Sequence, residues 1–187
     1  MMYNGLLSGL FTDDKKDGDF SSNAESLNIT YQTVASDVGE FYREPYVCIG
    51  RCNVAIARIP GMVNSGVISE TRSNELVAQA YFFRAWSYYY LIKEFGCTDG
   101  EAKDGGNGGV PLVLEPYETP DPSLISQPRA SITEVYKQIE SDLIEAIKHL
   151  PNTTFYANKC RITKPAAQTL LATVYLQWAG YPLQNAA

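Results

Sequence analysis

The stretch from Asn74 to Gly96, NELVAQAYFFRAWSYYYLIKEFG, constrains the fold more than any other part of the chain. Read as a helix at about 100° per residue, it places Glu75, Gln79 and Lys93 on one narrow face. Leu76, Ala80, Phe83, Tyr88, Leu91 and Phe95 spread round most of the remainder. A surface helix has a wider polar stripe, so this one is expected to be covered on two or more sides by other elements. Arg84 falls roughly opposite the Glu75/Lys93 face, among the aromatics. A charge in that setting is costly unless the guanidinium meets a carboxylate or several carbonyls. Arg84 is therefore read as a structural tie and not as a ligand contact.

Ser69 is expected to cap this helix, and Gly96 to close it in the left-handed conformation. Pro45 suits the first turn of a preceding helix, about 45–59, whose apolar stripe is Tyr46, Ile49, Asn53 and Ile56. An Asn on such a stripe needs partners for its amide and its carbonyl. The backbone of a neighbouring helix or loop is the cheapest source, so Asn53 is also read as structural. Ser131 and Glu134 spell a capping box for a helix with Val135, Ile139, Leu143, Ile147 and Leu150 on one side, stopped by Pro151. Thr163 and Pro165 open a last helix that turns Ala167, Leu170, Leu171, Val174, Tyr175 and Trp178 inward and ends at Gly180 and Pro182. Its small residues Ala166, Ala167, Ala172 and Ala179 suit close approach by a partner helix. The helical carboxylates Glu134, Asp142 and Glu145 are assigned to solvent-facing stripes.

The fold class that follows is all-α, with two helix pairs at 45–95 and 131–180. Residues 1–44 hold an N-terminal helix, Tyr3 to Phe11, and loops, including Leu27 to Val38, which has no clean period. Residues 96–130 form a Gly/Pro-rich loop. Paired antiparallel helices that bury their inner faces on the next pair follow the logic of tetratricopeptide-like repeats, an α-α superhelix. Within the loop, Gly105, Gly106, Gly108 and Gly109 lack the Gly-Lys-Ser/Thr ending and the following helix of a phosphate loop. Asp99, Glu101, Asp104 and Asn107 do not have the spacing of an EF-hand. The loop is read as solvated, followed by an extended run from Val110 to Leu114. Pro116, Pro120, Pro122 and Pro128 keep the next segment non-helical.

With 15 basic against 21 acidic residues, the chain has no footprint for nucleic acid or an anionic membrane surface. Its 13 Tyr, 7 Phe and 2 Trp suit amphipathic surfaces such as sugar rings, and equally the seams between helices. Cys48 and Cys52 lie one helical turn apart, but His149 is the single histidine and the other ligands of a four-coordinate metal are missing. With Cys97 and Cys160 they are read as thiols outside any disulfide framework, and no metal or cofactor is expected. No segment is long and apolar enough to span a bilayer, since the longest candidate contains Arg84. MMYNGLLSGLF has no signal-peptide pattern, and no Cys before position 48 can carry a lipid.

Five blocks in order carry a family resemblance: GRCNVAIARI, QAYFFRAWSYYYLIKEFG, GGVPLVLEP, SITEVYKQIESDLIEAIKHLP and CRITKPAAQTLLATVYLQWAG. Together they cover about Tyr46 to Gly180, and the chain resembles the N-terminal part of the SusD/RagB family of nutrient-binding outer-membrane lipoproteins. The resemblance implies a non-catalytic, surface-exposed protein of Bacteroidetes-type bacteria that binds glycans and works with a TonB-dependent transporter. It implies a tetratricopeptide-like scaffold plus a second, irregular region. Against that pattern, 1–187 looks like a piece of a longer protein. The signal and lipid-bearing Cys are expected outside this sequence, and Cys97 to Gly108 is an insertion where the family runs almost directly on.

Family members place aromatic and polar sugar contacts just before the first paired helix, which here offers Asp37, Phe41, Tyr42 and Arg43. An aromatic ring against the apolar face of a pyranose, with carboxylate and guanidinium groups on its hydroxyls, is the chemistry such a site needs. The competing function is a helical-repeat scaffold that binds a protein or peptide. An all-helical glycosidase, using two of the carboxylates Glu115, Glu134, Asp142 and Glu145, is the third.

Overall fold

Ser69 starts the central helix as its position predicted, its hydroxyl accepting from the Arg72 backbone N–H at 3.2 Å. The computed structural model describes residues 36–96, 108–116, 127–153 and 161–180, with side chains from Gly39 onward in the first of these. Its helices are α1 (Ser36–Arg58), the single turn α2 (Gly61–Asn64), α3 (Glu70–Phe95), α4 (Ile132–His149) and α5 (Lys164–Ala179). The described residues contain no strand, and the chain is all-α. Contacts divide it into two units, Met1–Arg43 and Glu44–Ala187. The expected helix from Tyr3 to Phe11, residues 27–35, the insertion up to Asn107 with its acidic residues, Pro120, Pro122, Pro182, Cys97 and Cys160 lie outside the described residues.

In the larger unit the core is built on α3, which packs chiefly on α4, while α4 in turn carries α5. α3 contributes Phe82, Ala85, Tyr88, Leu91 and Ile92 to the interior. α4 meets it with Val135, Ile139, Leu143 and Ala146, all fully buried at one i, i+3, i+4 spacing. Its capping box forms as the sequence requires, Ser131 Oγ accepting from Glu134 N–H and the Glu134 carboxylate accepting from Ser131 N–H at 2.8 Å. On α5, Ala167, Val174 and Trp178 are buried and Trp178 stacks on Tyr136 at 5.5 Å. The Tyr175 hydroxyl donates to Glu140.

Several expectations are corrected. α1 begins at Ser36, so Pro45 sits inside the helix and not in its first turn. Gly96 ends α3 in extended geometry, φ −73° and ψ 147°, and is not left-handed. What excludes a side chain there is proximity, since a Cβ would stand 2.3 Å from the Ile92 carbonyl oxygen. The outer face of α3 is more apolar than its polar stripe implied: Phe83 and Trp86 are each 41% exposed beside Glu75 and Gln79. Thr163 makes no side-chain cap, and Ala166, Ala172 and Ala179 face outward. Gly108 and Gly109 are buried and not solvated, because Gly109 N–H donates to the Ala130 carbonyl at 2.9 Å, where a Cβ would be 2.6 Å from that oxygen.

Candidate functional site

The structural centre is a buried polar hub where α1, α3 and α4 meet the extended segment 110–115. Arg84 is 6% exposed, and its Nε and Nη2 donate to the two carboxylate oxygens of Asp142 at 2.8 and 2.7 Å. Its Nη1 donates to Asn53 Oδ1 at 2.8 Å and to the Leu114 carbonyl at 3.4 Å. Asn53 Nδ2 donates onward to the carbonyls of Val113 at 2.9 Å and Glu115 at 3.2 Å. Gln138, one turn before Asp142 on α4, donates to the same carboxylate at 2.8 Å. The Arg84 guanidinium also lies 5.3 Å from the centre of the Tyr81 ring.

The extended segment has no strand to pair with among the described residues, so side chains take that role. The Tyr88 hydroxyl donates to the Val113 carbonyl at 2.8 Å and accepts from Val113 N–H at 2.7 Å. Tyr46 donates to the Pro111 carbonyl at 2.9 Å, and Arg129 holds the Phe95 and Gly109 carbonyls at 3.0 and 2.9 Å. Among the described residues no buried side-chain nitrogen or oxygen lacks a hydrogen-bond partner. A fully paired network of this kind fixes one arrangement of helices and loop.

Burial works against both charges of the hub. It opposes the Arg84 cation, but the hydrogen bonds and charge of Asp142 outweigh it, and the guanidinium pKa sits above its ordinary value. The Asp142 carboxyl is pushed up by burial, against the pull of Arg84 and Gln138. Two fork-like hydrogen bonds and a third from Gln138 are a carboxylate's environment, and we take the pair as ionised.

Asp142 was assigned to a solvent-facing stripe, and the structure overturns that: it is 1% exposed. The signal was in the spacing, because Asp142 follows Ile139 by three and precedes Ala146 by four, inside the apolar stripe. The carboxylate that Arg84 required is therefore on α4, and the carbonyls that Asn53 required are on the extended segment.

The predicted ligand residues lie within α1 and not in a segment before it. Phe41 and Tyr42 are half-buried, and Arg43 is exposed with its guanidinium 3.8 Å from Glu40. Successive helical residues are splayed by about 100°, so Phe41 and Arg43 point to opposite sides. Asp37 is in the first turn of α1, and its side chain is outside those described.

Among the described residues no three His, Cys, Asp or Glu side chains form a group that could hold a metal, and no helix is long and apolar enough to cross a membrane.

Comparison with known proteins gives a consistent match. A SusD-like family model described as starch-binding and associating with the outer membrane covers residues 3–176. The curated SusD-like protein P2 of Formosa agariphila is 31% identical over 172 residues, 91% of this chain and 30% of that protein. A solved laminarin-binding SusD-like protein superposes with a TM-score of 0.66 at 28% identity, over 86% of this chain and 31% of that one. A SusD superfamily protein from Parabacteroides distasonis gives a TM-score of 0.71 at 25% identity, over 91% of this chain and 32% of its own. The chain thus spans about a third of the length of these relatives.

Proposed function

Because this chain belongs to the SusD-like family, described as starch-binding and associating with the outer membrane, we propose that the whole protein is a non-catalytic glycan receptor at the cell surface. The observation that carries this is the family match over residues 3–176, joined to a likeness in fold to a laminarin-binding relative. The glycan is a polysaccharide fragment, and the protein hands it to a TonB-dependent transporter of the outer membrane, to which a lipid anchor on the full-length form keeps it close. The described helices form the tetratricopeptide-like frame of that receptor, with residues 1–44 leading into it and 96–130 joining its helix pairs. Arg84, Asp142 and Asn53 act as its structural tie. The hydrogen bonds that Asn53 donates to the carbonyls of Val113 and Glu115 and Arg84 donates to that of Leu114 support this role, since they lock loop to frame, while Asp142 ties Arg84 to α4. Asp37, Phe41, Tyr42 and Arg43 are the residues from which we draw the sugar contacts of this part of the chain; because Phe41 and Arg43 point to opposite sides of α1, one sugar meets either the Phe41 side or the Arg43 side and not both. Both rings are half-buried, and an aromatic ring packed against the apolar face of a pyranose is the contact proposed for them.

Calorimetry of the full-length protein against a panel of soluble glycans, laminarin included, tests the proposal. One or more of them should bind without being cleaved, and Phe41→Ala should weaken binding several-fold. A protein that binds none of the panel but captures a protein partner would instead be a helical-repeat scaffold, and release of reducing ends would make it an enzyme.

A further inference from the structure

Six side chains of α3, Glu75, Gln79, Phe83, Trp86, Tyr90 and Lys93, fall within about 80° of one another round the helix, on the side away from Arg84. The ends of this stripe are polar and its middle is aromatic. Phe83 and Trp86 are each 41% exposed, and Tyr90 is half-buried beside them. Phe83 and Trp86 take no part in the hub. We propose that the stripe is a further glycan platform, which takes a neutral β-linked glucan along the axis of α3; the proposal rests on the receptor reading above and adds to it residues outside α1.

The exposed rings are held in place from beneath. Phe82, 2% exposed, meets Phe83 and Trp86 edge-on, with its centroid 5.6 Å from each and interplanar angles of 84° and 79°. A buried ring wedged under both orients them before a ligand arrives, so little side-chain freedom is lost on binding. Along the helix Phe83, Trp86 and Tyr90 follow at steps of about 4.5 and 6 Å, a run of about 10 Å. A row of this kind fits an extended chain better than a single sugar.

The polar ends select the occupant. The core of a protein interface is depleted of charged groups, whereas a pyranose needs a flat apolar surface with hydrogen-bonding groups at its edges. Arg72 Nη1 donates to Glu75 at 2.7 Å, and Gln79 Nε2 reaches the Glu75 carbonyl at 3.5 Å, the long limit of a hydrogen bond, so that amide can turn to a sugar hydroxyl. At the other end Lys93 is exposed and 3.8 Å from Glu94. Both end charges are thus paired, and the stripe offers an anionic glycan no surplus of positive charge. In β-linked glucose every ring hydroxyl is equatorial, so axial C–H groups cover both faces of the sugar and lie flat on aromatic rings.

Calorimetry of the full-length protein against laminarin and cellohexaose tests the platform. At least one of them should bind the wild-type, and Phe83→Leu/Trp86→Leu, which keeps apolar bulk but removes the flat rings, should weaken that binding at least tenfold with the melting temperature unchanged. Phe83→Tyr/Trp86→Tyr keeps two stacking rings and should stay within about threefold of the wild-type. Unchanged affinity in the leucine variant overturns the platform and leaves the receptor reading standing, as does a wild-type that binds other glycans but neither glucan. A loss of affinity that comes with a fall in melting temperature, or that the tyrosine variant shares, overturns it too, by assigning the rings to the fold. A wild-type that binds no glycan at all removes the receptor reading and the platform with it.

Discussion

Arg84 keeps a full charge at 6% exposure only because three groups from three different elements converge on it: Asp142 from α4, Asn53 from α1 and the Leu114 carbonyl from the extended segment. Removing one member strands the others. Arg84→Met leaves the Asp142 carboxylate buried without its cation, and Asp142→Leu does the reverse; each should cost about 3–5 kcal/mol. The double variant Arg84→Met/Asp142→Leu should lose clearly less than the sum, because the second change removes the orphan that the first created. Urea denaturation followed by circular dichroism measures all three, and strictly additive losses would mean that the pair is not coupled. The direction of the Arg84 shift agrees with such coupling, as burial alone would push its pKa down.

At the level of elements, the two ends of α4 are fixed locally and its face is fixed by packing. Glu134 is held below the ordinary carboxylate range by the Ser131 backbone and hydroxyl that donate to it. A carboxyl whose folded pKa is depressed stabilises above its unfolded pKa and loses that contribution as pH falls through the folded one. Glu134→Gln should therefore destabilise at pH 7, and the gap from the wild-type should close in acid below the normal carboxyl range. Parallel denaturation curves across pH check it, and a gap that persists in acid would assign the loss to something other than the charge. The faces of α4 and α5 differ in the same physical terms. Leu143 is fully buried between helices, so Leu143→Ala should cost about 2–5 kcal/mol. Leu176 is 77% exposed on α5, and Leu176→Ala should stay within about 0.5 kcal/mol of the wild-type in this chain.

Over the whole molecule, the protection of backbone amides should follow burial. Native-state hydrogen exchange should be slowest from Phe82 to Ile92 of α3 and along the buried face of α4. It should be faster through α5, which buries three side chains. Equal protection in α5 would show that its outer face is covered in solution. The existence of α1, α3, α4 and α5, the Ser69 cap, the Ser131–Glu134 capping box and the family were legible from the residues alone, because each depends on groups within a few turns or on the order of whole blocks. So was the demand of Arg84 for a carboxylate and of Asn53 for carbonyls, since a buried polar group declares its needs wherever it sits. Which carboxylate and which carbonyls depended on the approach of segments 58 and 60 residues apart in the chain, and the burial of Gly109 on the return of the chain at Ala130. Short-range chemistry is written in the sequence around each residue, whereas the partner of a long-range bond is selected by how the helices pack, and only the assembled core brings Asp142 to Arg84.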